Sequence, residues 1–428
     1  MAVFKVSGQS LKKNRKLVSN FGYLSALKVF EYVFPLLTIP YLARVLGVAG
    51  FGLVSFAQAF ASYFLILVDF GFNLSASKDI SVHHDDRHQV ETIYSSVMLV
   101  KTGLMIVTFI MYAVLVFGFA RFRGDSLLYL STFGLVVSSV LFPIWLFQGL
   151  QEMKFITLVQ FCSRFIFTVL IFVLVRSSAD ILLVPLLNAF GGIIGGILSL
   201  LIVRYRLGIR LRRPYLPEIR SQIRSSFDLF LSNVSISLYT ISNTFLLGLF
   251  WNDTIVGYYA GAEKILRPLQ NMLQPITQAV YPHIAQIADR SRSEATAFLR
   301  KLVLLVGAAT GVVSIAAFVL SPLLVPLILG PDFAPSILIL RIMSPLPFVI
   351  ALSNIAGIQA MLSFGYGRQF SRIIILCTVL HLTLASCLMS FGAAGVSTSV
   401  LVTEITITSV FFIFLARRGI ALLPGTHS

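Results

Sequence analysis

Twelve apolar runs of helical length follow one another along the chain. They lie near 20–43, 51–75, 93–118, 127–147, 155–175 and 181–203, then near 226–250, 255–281, 302–329, 337–362, 373–391 and 395–415. A helix that crosses a bilayer needs about 20 predominantly apolar residues. The outer connections are short, as at 251–254 and 330–335. The pattern predicts an all-α polytopic membrane protein with twelve transmembrane helices. A polar, basic stretch at 204–225 interrupts the series, with six runs on either side. It divides the chain into an N-terminal lobe over 1–203, a basic cytoplasmic linker over 204–225 and a C-terminal lobe over 226–428. The expected architecture is two six-helix lobes around a central cavity. Gly52-x4-Ala57-Gln58 faintly echoes Gly257-x4-Ala262-Glu263 at the second run of each half. That echo is too short to establish a repeat.

Polar residues inside the runs recur at helical spacing. The second run carries Ser55, Gln58, Ser62, Asp69 and Asn73, and the seventh carries Asn233, Ser237, Thr240 and Thr244. The eighth carries Glu263, Arg267, Gln270, Gln274 and Gln278; the first carries Ser25, Lys28 and Tyr32, with Glu31 alongside. Polar groups are costly against lipid, so such stripes face protein or water. Two readings follow: hydrogen-bonded helix packing, or four helices lining a hydrophilic cavity. Prolines interrupt several runs: Pro35 and Pro40, Pro268 and Pro275, Pro322 and Pro326, Pro345 and Pro347. They read either as kinked packing or as hinges, and the sequence does not separate the two.

Composition sharpens the class. Apolar residues make up 57% of the 428 residues and charged residues 12%, with a mean hydropathy of +0.90. A soluble domain has roughly 45–50% and about 25%, so a soluble enzyme is excluded, as is intrinsic disorder. The formal charge of +16 is explained by topology. With the N-terminus inside, 23 Lys and Arg fall in inner segments and 4 in outer ones. That bias is the positive-inside signature and puts both termini in the cytoplasm; nucleic-acid binding becomes unnecessary. The basic N-terminus leads into a run too long and bulky for a cleaved leader, so it is expected to be retained. Cys162, Cys377 and Cys387 lie in apolar runs with no metal or disulfide spacing. There is no Gly-x4-Gly-Lys-Ser/Thr loop for ATP. His83, His84, Asp85 and Asp86 cluster in an inner loop, where a solvated turn is the preferred reading over a metal site.

Charged residues within the runs bear on chemistry. Lys28, Lys101, Arg164, Lys264, Arg267 and Arg341 stand against Glu31, Asp69, Glu263 and Glu404. Glu263 and Arg267 are four apart and can pair on one face, and Lys28 and Glu31 three apart can do the same. Asp69 and Arg341 have snorkelling at span ends as an alternative. For Lys28, Lys101, Arg164, Arg267 and Glu404 the alternative is structural pairing, and His381 reads as a packing histidine. Cations outnumber acids, which suits an anionic substrate, a phosphate above all.

Four motifs then carry a resemblance. Asp69-Phe-Gly-Phe-Asn-Leu-Ser-Ala-Ser-Lys-Asp79 resembles a signature of Wzx-type polysaccharide flippases. So do Leu141-Phe-Pro-Ile-Trp-Leu-Phe-Gln-Gly149 with Met153-Lys-Phe, Ser237-Leu-Tyr-Thr-Ile-Ser-Asn-Thr-Phe-Leu-Leu-Gly248, and Gly257-Tyr-Tyr-Ala-Gly-Ala-Glu-Lys264. The likeness spans roughly 20–415. That family belongs with MATE exporters and the lipid II flippase MurJ. The resemblance implies a twelve-helix, two-lobed transporter moving undecaprenyl-pyrophosphate-linked oligosaccharide between leaflets of a bacterial inner membrane. It implies cavity-lining cations on the first and eighth helices, where Lys28 and Arg267 stand.

The two lines of reading meet in one assignment. Lys28, Lys264 and Arg267 are expected to hold the pyrophosphate. Gln58, Asn233, Thr240, Gln270 and Gln274 are expected to bond sugar hydroxyls, and Glu31, Asp69 and Glu263 to serve as coupling groups or ion-pair partners. The partners are the lipid-linked oligosaccharide, membrane lipid, and the polymerase and chain-length proteins of the same pathway. No cofactor, metal or catalytic residue is expected. Two alternatives are a MATE-like small-molecule antiporter, whose cationic drugs would favour surplus acid, and a membrane polymerase or glycosyltransferase, which would need a catalytic external loop.

Overall fold

The computed structural model describes residues 8–271 and 274–422, and every regular element among them is helical. Nine segments of the described residues are long and apolar enough to cross a membrane. Eight of the runs seen in the sequence each fall in one of these, from Arg87–Gly118 to Met389–Arg417. The first two runs share Val29–Val82, which is 54 residues long. A straight helix of that length would measure about 80 Å, more than twice a hydrocarbon core of about 30 Å. Gly47, at φ 68°, kinks the helix Gly8–Asp69 between the two runs. The seventh run falls on the helix Leu216–Phe250, and the eighth is divided between the helices Asp253–Asn271 and Gln274–Arg290. Among the described residues of these helices, Ile241–Phe250 is a shorter apolar stretch.

The burial pattern is that of a chain solvated by lipid. On the helix Arg292–Ile328, Leu304, Leu305, Val312 and Leu323 are exposed, while Thr310, Ser314 and Ser321 are buried. Water would favour the reverse; in lipid, small and polar residues make the helix contacts.

Two compact units emerge. The first comprises the residues up to Leu46 and Ala57–Ser237; the second comprises Gly47–Phe56 and Leu238–Ser428. The first has a core around Phe72, Tyr94, Val97, Trp145 and Phe147. Within it the helix Gly8–Asp69 is zipped to Met153–Leu174 at three levels. Thr157 Oγ1 donates to the Tyr23 carbonyl at 3.0 Å, Phe30 and Phe34 pack on Phe161, and the Tyr41 hydroxyl donates to the Val175 carbonyl at 2.7 Å. The second unit has its own core around Leu299, Val306, Ile355, Phe411 and Leu415. There Gly52 and Gly257 let two backbones meet. A Cβ on Gly52 would overlap the Asp253 carbonyl oxygen, and one on Gly257 would overlap that of Val48. The echo between the two sequence segments thus has a steric cause, whatever its ancestry.

Candidate functional site

In the second unit the stripe of the helix Asp253–Asn271 opens onto a cavity of about 450 Å³. Glu263, Arg267 and Gln270, at steps of four and three, share that wall. Asn271 at the end of the same helix, Asn243 from Leu216–Phe250 and Glu404 from Met389–Arg417 add to its polar lining, with Tyr259 one turn back. Arg267 Nη2 donates to Glu263 Oε1 at 3.0 Å; the arginine side chain is 56% exposed and the glutamate 17%. The pair expected from the sequence is therefore formed, with its guanidinium outermost. Asn243 is held from behind. His381 Nε2 lies 2.9 Å from Asn243 Oδ1, and Nδ1 lies 3.3 Å from Thr403 Oγ1. His381 is fully buried with both ring nitrogens partnered, as a packing histidine should be.

Lys264 is next in sequence to Glu263, roughly 100° round the helix. Its Nζ sits over the Phe51 ring, 4.5 Å from the centroid. Arg341 likewise leans on Phe318 and donates from Nε to Ser321 Oγ at 3.1 Å. The cation surplus counted along the sequence is thus spread through packing contacts. Among the described lining residues of this cavity stand two carboxylates and one guanidinium.

The first unit holds a smaller cavity of about 290 Å³, lined by Asp69, Asn73, Lys101, Gln160 and Ser237. Lys101 Nζ lies 3.3 Å from Asp69 Oδ1; the lysine side chain is 3% exposed and the aspartate 24%. Pairing, not snorkelling, accounts for Asp69. Asn73 Oδ1 and Gln160 Oε1 are buried on this wall with no hydrogen-bond partner among the described residues. The stripe read through Asp69 to Asn73 does not run along one helix. Phe70 and Gly71 take positive φ, and a separate helix Phe72–Val82 begins there. A Cβ on Gly71 would press on the Ser226 carbonyl and the Phe230 amide, so the break is where two helices meet. Elsewhere in the unit, Arg164 Nη2 lies 3.8 Å from Glu31 Oε1. Glu31, expected opposite Lys28, has this partner from Met153–Leu174.

Gln58 is half-buried, and its carbonyl accepts from Ser62 Oγ at 2.7 Å. The side chains of Lys28, Asn233, Thr240 and Gln274 lie outside the described residues. Sequence reasoning missed Asn243, Tyr259 and Gln160 as lining groups. Asn243 stands one position off the stripe of its helix. Gln160 had a weak signal: it lies four residues before Arg164 in an otherwise apolar run.

Comparison with known proteins follows the same lines. Over 400 residues the chain is 32% identical to a protein of Escherichia coli (strain K12) named "Putative O-antigen transporter", covering 93% of this chain and 96% of that one. A protein of Shigella dysenteriae with the same name is 31% identical over 392 residues, covering 88% and 94%. Among solved structures, the lipid II flippase MurJ in an inward closed conformation superposes with a TM-score of 0.70 at 12% identity, over 91% of this chain and 87% of that one. An inward-facing multidrug resistance MATE family transporter of the MOP superfamily gives 0.64 at 15% identity, over 92% and 96%. These two establish the fold: a helical, polytopic architecture. The family described as polysaccharide biosynthesis protein matches residues 17–288, well over half of the chain, and to that family the chain belongs.

Proposed function

We propose that the protein is a flippase. It carries undecaprenyl-pyrophosphate-linked oligosaccharide, of the O-antigen repeat-unit type, from the cytoplasmic to the periplasmic leaflet of a bacterial inner membrane by alternating access. It is a transporter and makes no covalent bond. The observation that carries this reading is the end-to-end match to the two proteins named as O-antigen transporters. Twelve spans, cytoplasmic termini and lobes at 1–203 and 226–428 joined by the 204–225 linker complete the proposal; the inner excess of Lys and Arg supports them.

Arg267 is the proposed headgroup contact. Its guanidinium is exposed in a polar cavity and steadied by Glu263, and a guanidinium binds phosphate through several directed donors. Lys28 and Lys264 are assigned to the same headgroup, Lys264 by leaving the Phe51 ring. Gln58, Asn233, Thr240, Gln270 and Gln274 are assigned to sugar hydroxyls. The isoprenoid tail stays in lipid. A headgroup with about two negative charges moving out of a negative interior gains roughly 4–5 kcal/mol at 100 mV. The membrane potential then suffices as the drive, with Glu31, Asp69 and Glu263 as ion-pair partners; antiport through these carboxylates is the rival. Pathway polymerase and chain-length proteins are proposed neighbours.

The test is deletion of the gene in its host, with the leaflet of the lipid-linked oligosaccharide as readout. Completed units accumulating on the cytoplasmic face, with surface polysaccharide lost, are expected. Normal arrival in the periplasmic leaflet, in a host shown to lack a second transporter, would overturn the reading.

A further inference from the structure

The basic stretch that separates the two halves of the sequence is not a loose tether. Residues 207–214 form a strap across the first unit, tied down by one buried carboxylate. Glu91, 2% exposed, accepts from Arg212 Nε at 2.5 Å, from the Arg210 amide at 3.1 Å and from Arg87 Nε at 3.4 Å. Arg87 Nη2 also donates to the Gly208 carbonyl, and the Arg212 amide donates to Ser95 Oγ at 2.8 Å. Gly208, at φ 68°, turns the chain out of the π-helical turn Ile202–Arg206 and back over the unit. Ile209 is thereby driven into the core while Leu211 is left 67% exposed.

Under this strap lies a cavity of about 420 Å³. Its walls are Leu200, Val203, Ile209 and Leu211, with the buried Tyr94 behind them and Arg204 as its charged group. The volume falls within the roughly 300–1,000 Å³ of small-ligand clefts. Next to its lining residues in sequence, Tyr205 is exposed, as are Arg206 and Arg210, and Tyr215 and Leu216 are exposed just beyond the strap. Large apolar and aromatic side chains interleaved with arginines do not suit open water; they suit the interface of a bilayer, where rings sit at headgroup level. An apolar slot with an arginine among cationic neighbours is complementary to one class of molecule there: an apolar chain ending in a phosphate.

We infer that this cavity binds an anionic phospholipid, with an acyl-chain segment between Leu200, Val203 and Leu211 and the phosphate at Arg204. The site lies wholly within the first unit and is separate from the polar cavities around Arg267 and Lys101. It stands on membrane insertion, not on the identity of the transported substrate. The Glu91 anchor gives the strap a fixed position, so the arginines around the slot form a shaped site and not a diffuse positive field.

The test is native mass spectrometry of the purified full-length protein with phosphatidylglycerol and phosphatidylethanolamine of matched chains. Wild type should retain phosphatidylglycerol in preference. Arg204→Gln should reduce that retention about fivefold, the loss expected for one cation at an anionic lipid surface. Leu200→Trp, which fills the slot without altering charge, should reduce it comparably. Arg213→Gln removes the same charge away from the cavity lining and should leave retention nearly unchanged. Equal loss in Arg204→Gln and Arg213→Gln would overturn the site in favour of general electrostatic attraction. Equal retention of the two lipids by wild type would overturn it outright, as would unchanged retention in Arg204→Gln. Should Leu200→Trp fail to fold, the two arginine variants still decide.

Discussion

The two cavities carry the same kind of pair and bury opposite members of it. In the first unit the cation is covered: Lys101 is 3% exposed against 24% for Asp69. In the second the cation is presented: Arg267 is 56% exposed against 17% for Glu263. The Lys101 ammonium, 3% exposed and bonded to Asp69, presents little surface to a ligand. A presented guanidinium, held at one nitrogen by a half-covered carboxylate, keeps further donors directed into the cavity. An acid–base pair inside a span is therefore not by itself a binding site. Which partner faces the cavity distinguishes scaffold from contact.

The sharpest way to break that contrast is to remove Lys101. Lys101→Met leaves Asp69 uncompensated, and breaking a buried pair costs about 3–5 kcal/mol. Loss of folded protein from the membrane, or a large fall in thermal stability in detergent, is expected. Asp69→Asn with Lys101→Met should recover most of the loss, because both charges are then gone. Unchanged stability in the single variant would show that the pair is not scaffold.

Arg267 should behave in the opposite way. Arg267→Ala should leave the protein in the membrane at wild-type levels and abolish transport. A charge-assisted bond is worth about 1.5–3 kcal/mol, so a loss of at least about tenfold in flipped lipid-linked oligosaccharide is the floor. Arg267→Lys should restore only part of it, since an ammonium lacks the planar fork. Immunoblot of membranes together with a leaflet assay separates the two effects. Full activity in Arg267→Ala would remove it from the site.

The same contrast bears on energy coupling. Asp69 is paired with Lys101 and Glu263 with Arg267; on the proposed potential-driven reading, flux should follow the membrane potential. In vesicles, raising the potential at a fixed pH gradient should speed flipping, by up to about 2.3 kcal/mol per charge per 100 mV. A rate that ignores potential and follows the pH gradient would return the role to Glu31, Asp69 or Glu263.

How much of this was legible beforehand depends on distance along the chain. Glu263 and Arg267 are four apart on one helix, so their pairing follows from helical geometry and appears in the structure as read. Asp69 and Lys101 are 32 residues apart, and Glu31 and Arg164 lie on helices remote in sequence. No periodicity can pair them; only the packing of those helices does. The helical, polytopic fold was legible because a bilayer demands long apolar runs. The break at Phe70–Gly71 was not, because it depends on the backbone of Ser226 and Phe230 pressing from another helix. The even spacing from Asp69 to Asn73 therefore read as one stripe across two helices. The cation surplus was counted correctly, yet its placement against Phe51, Phe318 and Glu31 was invisible to counting.

The pair Glu31–Arg164 offers the finest test, because it is intermediate. Its members are 27% and 35% exposed, and the separation of 3.8 Å is long. Beside it, Phe30, Phe34, Phe161 and Phe165 already hold the two helices together. If exposure of the cation sets its role, this pair should be neither scaffold nor indispensable contact. Glu31→Gln and Arg164→Gln should each lower stability by only about 0.2–1 kcal/mol, the range for pairs open to solvent. The double variant should lose no more than the sum of the two, and membrane levels should stay near wild type. A loss as large as that of Lys101→Met would mean that packing around the pair, and not its exposure, decides. The rule drawn from the two cavities would then fail at its first application outside them.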